Sequence, residues 1–175
     1  MNFIRNFWKD IKGVSAVEMA ILFPILISLM TFIYDLGQGI VLSQKVNTAA
    51  QSIGDLVTRN EFVNEALVTD IINAGELSLA PYPLDEFQYD IASVQFDEDG
   101  DPFVLWRRTF GMTAEDDPIQ DTIGLGGEGE GVIVVSVRYR YVPFFSNIVI
   151  DEFIMFERAF LRGRKSATVP CTDCA

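Results

Sequence analysis

Glu18 is the residue with the most chemistry to explain. It is the single charge in Val14–Tyr34, VSAVEMAILFPILISLMTFIY, a run of 21 otherwise uncharged residues. A carboxylate near the start of such a helix costs several kcal/mol in lipid unless it is paired or neutralised. One reading has its stem reach back to the interface. The other looks at what precedes it. Gly13 lies at the junction between a short basic stretch and the apolar run. Cleavage after Gly13 would create an α-ammonium at Val14 and make Glu18 the fifth residue of the mature chain. In a lateral assembly, Glu18 of one subunit can then pair with the Val14 ammonium of its neighbour. Two charges that are costly apart in lipid become tolerable together, and the pairing sets the axial register.

Three other groupings invite chemistry. Asp97-Glu98-Asp99-Gly100-Asp101 places carboxylates at alternate positions, as a hard cation requires. Counted as an EF-hand loop from Asp97, however, the positions that need Gly and Glu hold Pro102 and Arg108. A solvated hairpin turn is the simpler reading, with a weak cation site as the other. The glycine-rich stretch Gly124–Gly131 follows no strand and has no Lys. Its glutamates would repel a phosphate, so it reads as a loop. Cys171-Thr172-Asp173-Cys174 has redox spacing but follows Pro170 near the end of the sequence. A thioredoxin-like site needs a helix N-terminus there. Outside the cytoplasm, Cys171 and Cys174 are a candidate local disulfide, with free thiols or an intermolecular crosslink as the other outcomes. No metal site is expected.

The elements that must carry these residues begin with the apolar run. At about 1.5 Å per residue it spans roughly 31 Å, the thickness of a bilayer core. Its length and internal charge argue against a cleaved secretory signal. Pro24 in mid-span is tolerable in lipid, where neighbouring groups satisfy the freed carbonyl. The order expected is a basic leader over 1–13, a transmembrane helix over 14–35 and a helical stem over 36–80. In the stem, Ala49, Ile53, Leu56 and Val57 follow helical spacing. A second helix runs from about Glu61 to Leu77 with Val63, Leu67, Ile71 and Ala74 as its stripe, and Pro81 and Pro83 end it.

Strand patterns fill a β-rich domain over 81–162. Tyr89–Phe96 puts Tyr89, Ile91 and Ser93 on one face and Asp90, Ala92, Val94 and Phe96 on the other. After the acidic turn, Phe103–Phe110 reads as the return strand of a hairpin. Gly111–Gly131 reads as a loop, Val132–Tyr141 as the strongest strand and Glu152–Phe160 as a last one. Residues 163–175 read as a tail carrying the two cysteines. The fold class is α+β, a long N-terminal membrane-spanning helix with an amphipathic stem and a small antiparallel sheet.

The string GVSAVEMAILFPILISLMTFIYDLGQGIVLSQKVNTAAQSIGDLV resembles the TadE/TadG family of tight-adherence (Flp) pilus proteins. Its opening resembles the class III signal of type IV prepilins and pseudopilins. The features that carry the likeness are Gly13, Ala16-Val17-Glu18, Ala20, Pro24, Asp35-Leu36-Gly37 and Ala49-Ala50, over about the first sixty residues. Where the family usually has an aromatic residue after the Glu, this chain has Met19. The resemblance implies cutting by a prepilin peptidase between Gly13 and Val14. It also implies a minor pseudopilin role in pilus biogenesis, with Glu18 and Pro24 serving assembly. The implied partners are the membrane, the peptidase, other pilins or pseudopilins and assembly-platform proteins.

Composition narrows the field. With no histidine in the chain, His-based catalysis and His-ligated metals are excluded. The net charge of −12 argues against nucleic acid. From Asp55 to Glu157 there are 21 acidic and 5 basic residues, a net of −16. Arg5, Lys9 and Lys12 at the start place the N-terminus in the cytoplasm and the body in the periplasm by the positive-inside rule. Arg158, Arg162, Arg164 and Lys165 near the end either meet the acidic body of a neighbouring subunit or pair at their own surface. No cofactor, small-molecule substrate or catalytic residue is expected, and no pattern picks out a hydrolytic carboxylate pair. The alternative function is an uncleaved, membrane-anchored periplasmic protein that binds a partner outside any pilus.

Overall fold

The computed structural model of the chain describes residues 13–145 and 151–174. Its spine is one helix, α1 (Val14–Thr58), of 45 residues without interruption. At about 1.5 Å per residue it is roughly 68 Å long. Its two halves follow different rules. From Val14 to Tyr34 the side chains are exposed, with Thr31 half-buried. From Asp35 on, a stripe of Asp35, Gly39, Leu42, Val46, Ala49, Ile53 and Val57 is buried at spacings of three or four. That spacing keeps one helix face turned to a core. Span and stem are therefore one helix, and the stem is the inner wall of the head.

A four-stranded antiparallel sheet packs against that wall. Its strands are β1 (Phe87–Phe96), β2 (Pro102–Phe110), β3 (Gly131–Tyr141) and β4 (Phe153–Arg162), in the spatial order β2-β1-β3-β4. All neighbours are antiparallel, and β1–β2 and β3–β4 are sequential pairs. Sequence reading places every strand to within two residues. Both faces of β1 are buried. Phe87, Tyr89 and Ile91 join the core under α1 with Val135, Val137 and Tyr139. Ala92, Val94 and Phe96 form a second cluster with Ile119, Val132 and Val134 on the far face.

Two elements differ from expectation. The second helix, α2 (Glu65–Glu76), starts later than the apolar spacing suggests. Asn64 caps it by accepting from the Leu67 N–H at 2.8 Å. Its buried stripe is Val68, Ile71, Ile72 and Gly75, so Ala74 is exposed and Leu67 only half-buried. Val63 is buried outside the helix, in a bridge to Cys171. The acidic, glycine-rich connection before β3 holds a short helix, α3 (Asp117–Gln120), which supplies Ile119 to the far-face cluster.

The far face also carries charge. Asp90, almost fully buried, accepts from Arg107 Nε at 2.8 Å and Nη2 at 2.6 Å, and from the Glu115 N–H at 3.0 Å. Arg107 reaches Asp116 at 2.9 Å, and Arg138 reaches Glu115 at 2.7 Å. The cations of the C-terminal segment pair within the same chain. Arg158 meets Asp121 at 3.1 Å and Glu115 at 3.7 Å, Arg162 meets Glu130 at 3.4 Å, and Arg164 meets Asp55. Own-surface pairing is the arrangement seen for these three arginines.

Residues 163–174 are sewn to the body. The Val63 N–H donates to Pro170 O at 2.9 Å and the Thr172 N–H to Val63 O at 3.0 Å. The Gly131 N–H donates to Ala167 O at 2.8 Å, and Val169 is buried in the main core.

Candidate functional site

The site foreseen around Gly13, Val14 and Glu18 lies at the exposed start of α1. Gly13 sits just before the first helical turn, and its backbone is near-helical with no side-chain cap. Among the described residues, a Cβ built on Gly13 would meet nothing within 4 Å, so no packing among them demands glycine there. Glu18 is exposed. Among the described residues it has no hydrogen bond or ion pair. Arg5, Lys9 and Lys12 lie outside the described residues. Pro24 is accommodated within continuous helix. Ser28 Oγ donates to Pro24 O at 2.8 Å, and Thr31 Oγ1 donates to Ser28 O at 2.9 Å. These hydroxyls satisfy themselves on the helix, as an apolar surrounding requires.

Asp35 marks the point where the helix changes role. It is buried, and its carboxylate accepts the N–H groups of Phe144 at 3.2 Å and Phe145 at 2.9 Å. Tyr141 Oη donates to the Asp35 carbonyl at 3.1 Å. The segment after β3 is thus held against the end of the apolar run, and the Phe145 ring meets Tyr34 edge-on at 5.7 Å. Beside it an apolar cleft of about 370 Å³ opens between Phe32, Leu36 and Ile40 of α1 and Ile154 and Met155 of β4. The Asp35-Leu36-Gly37 step was visible as a motif. Its partners lie over a hundred positions away, and no local spacing could name them.

Cys171 and Cys174 are joined by a disulfide, with Cα atoms 5.6 Å apart. Asp173 places a carboxylate beside the two sulfurs. It also accepts from the Glu65 N–H at 2.7 Å, at the start of α2. Sulfurs bonded to each other are not thiolate ligands, so this trio has no metal-binding donor set. In the acidic turn, Asp97 Oδ1 accepts from the N–H groups of Asp99 at 3.0 Å and Asp101 at 2.8 Å. That is a side chain closing its own turn.

Fold and site together fit a single-pass membrane protein. One helix is long and apolar enough to cross a membrane, and it carries a small α+β head. Residues 13–54, about a quarter of the chain, match the family model described as TadE-like protein, as for a TadE/TadG-like protein of the Tad pilus system. That family is pilus-associated and is not known as enzymatic. No curated protein and no solved structure matches the chain.

Proposed function

We propose that this chain is a pseudopilin-like component in the assembly of a Tad-type adhesive pilus. In this reading a prepilin peptidase cuts between Gly13 and Val14, and the mature chain stays in the inner membrane with its head in the periplasm. Its work is done by helix packing and subunit contacts, with no catalytic step. Its partners are other pilins or pseudopilins and the assembly platform.

The observation that carries this reading is the family match that begins at Gly13, ahead of a helix whose side chains are exposed all the way from Val14 to Met30. Such a surface needs lipid or other helices to cover it. Glu18, unpaired within the described chain, is suited to a cation from a neighbouring subunit. The Cys171–Cys174 disulfide is compatible with an oxidising compartment for the head.

Mass spectrometry of the membrane-extracted protein tests the processing step. A mature N-terminus at Val14 is expected. A chain beginning at Met1 or Asn2 would favour the uncleaved anchor that binds its partner outside a pilus. Co-purification of the Val14 form with pilus proteins from the same membranes separates the two roles further.

A further inference from the structure

We propose that the head has a second membrane contact, formed by the start of the β3–β4 connection. Val142, Phe144, Phe145 and Ile154 form an apolar shoulder that rests on the bilayer surface beside the span. This inference rests on the reading of Val14–Tyr34 as membrane-spanning.

Four observations meet at this place. First is level. Phe145 packs on Tyr34, the last residue of the apolar run, so the shoulder flanks the helix where the hydrocarbon region ends. Second is composition. Phe144 is 77% exposed and Ile154 59%, and Val142 and Phe145 are each about half exposed. A single exposed apolar side chain is ordinary, but a cluster of them continuous with a membrane helix is not. Third is polarity. Backbone N–H groups entering an interface must find partners within the protein. Here the N–H groups of Phe144 and Phe145 are taken by the Asp35 carboxylate, which is itself buried. The shoulder therefore brings neither bare N–H groups at its two phenylalanines nor an exposed carboxylate from Asp35. Fourth is continuity. The cleft runs from Phe32, inside the apolar run, to Ile40 and Met155, with mostly apolar walls to which Asp35, Ser43 and Glu157 add the polar groups, so its Phe32 end lies open to acyl chains at the level of the shoulder. The nearby Glu152 is met by Arg140 at 3.6 Å, which lowers the cost of approaching the surface.

The occupant is lipid. Aromatic and aliphatic groups at the headgroup boundary gain burial without needing a shaped partner, which suits a small apolar patch. A neighbouring protein helix is the competing occupant, and the test separates them.

Benzoylphenylalanine is placed singly at Phe144, Leu26 or Phe62 in the full-length chain. Leu26 lies in mid-span. Phe62 is an exposed phenylalanine just past the far end of α1. The proteins are reconstituted in vesicles of phosphatidylethanolamine and phosphatidylglycerol, irradiated and analysed by mass spectrometry. Phospholipid adducts are expected at Leu26 and Phe144, with at least about tenfold more at Phe144 than at Phe62. Adducts at Leu26 but none at Phe144 would remove the shoulder and leave the span standing. Absence at Leu26 would overturn the span and the shoulder together. Equal labelling at Phe144 and Phe62, or protein-only adducts at Phe144, would also overturn the proposal.

Discussion

The indole N–H of Trp106 donates to the Val169 carbonyl at 2.7 Å, across 63 positions of sequence. Ser93 Oγ donates to the same oxygen at 2.9 Å. The pair clamps the C-terminal segment onto the head from within the core. Trp106→Phe removes one of the two donors and part of a buried ring. A loss of about 1–2 kcal/mol is expected, seen as a lower melting temperature in detergent. Limited proteolysis should release residues 163–174 earlier than in the wild type.

Gly75 and Gly37 make a controlled pair. A Cβ on Gly75 would lie 2.4 Å from Ile53 Cγ1, whose side chain is fully buried, whereas one on Gly37 would meet nothing within 4 Å. Both are helical, so alanine brings the same gain in propensity of up to about 1 kcal/mol. Gly75→Ala is expected to destabilise by about 1–2 kcal/mol net, because overpacking outweighs that gain. Gly37→Ala should leave the midpoint of thermal unfolding unchanged or slightly raised.

Asp90→Asn tests the buried pair on the far face. The change keeps the shape but removes the charge opposite Arg107, which keeps only Asp116 at the exposed rim. A loss of about 2–3 kcal/mol is expected, since a guanidinium left near the interior loses its main counter-charge. Asp116→Asn, at an exposed group, should cost under about 1 kcal/mol, and similar losses for the two variants would refute this account.

Tyr139 gives the head an alkaline limit. Burial pushes its phenol up to about 12, helped by the nearby Glu86, Tyr82 and Asp85. Its hydroxyl donates to Pro83 O at 2.8 Å. The raised value means the folded state holds the proton more tightly than the unfolded chain does. Its contribution is fully present below pH 10, the ordinary tyrosine value, and fades as pH rises towards 12. Burial also pushes Tyr82, Tyr89 and Tyr141 up, so absorbance at tyrosinate wavelengths should show a late phase whose amplitude falls in Tyr139→Phe.

Glu18→Gln separates folding from assembly. The head's core begins at Asp35, more than four helical turns beyond Glu18. Membrane insertion and head melting should match the wild type, while crosslinking to pilus partners falls by an order of magnitude or more, about 1.4 kcal/mol per tenfold. Unchanged crosslinking would show that the carboxylate has no part in subunit pairing.

What the sequence makes legible follows from how local each signal is. Val132–Tyr141 is a near-continuous β-branched and aromatic run, and the observed β3 extends it by one residue. The apolar span is equally plain, because nothing but length and hydropathy defines it. The phase of α2 is less so. Leu67-Val68 and Ile71-Ile72 are adjacent apolar pairs, and either member satisfies the helical period. The fold buries Val68 in place of Leu67 but takes both Ile71 and Ile72, with Gly75 allowing the close approach of Ile53. The short helix around Ile119 hides among Asp and Gly residues that read as loop. Asp35 was legible only as a motif, because its role depends on Phe144 and Phe145, which the fold brings back from the other end of β3.

The unbroken α1 leaves no swivel between anchor and head. A linker would let the head wander over a cone while the anchor stayed put. Here the axle and the vane are one piece. Sliding α1 by one residue against a fixed neighbour lifts the head by about 1.5 Å and turns it by about 100°. Whatever holds the buried end of the axle therefore also decides the compass bearing of the sheet. Neighbouring heads facing one another in a repeating array would need no contacts of their own to be aligned.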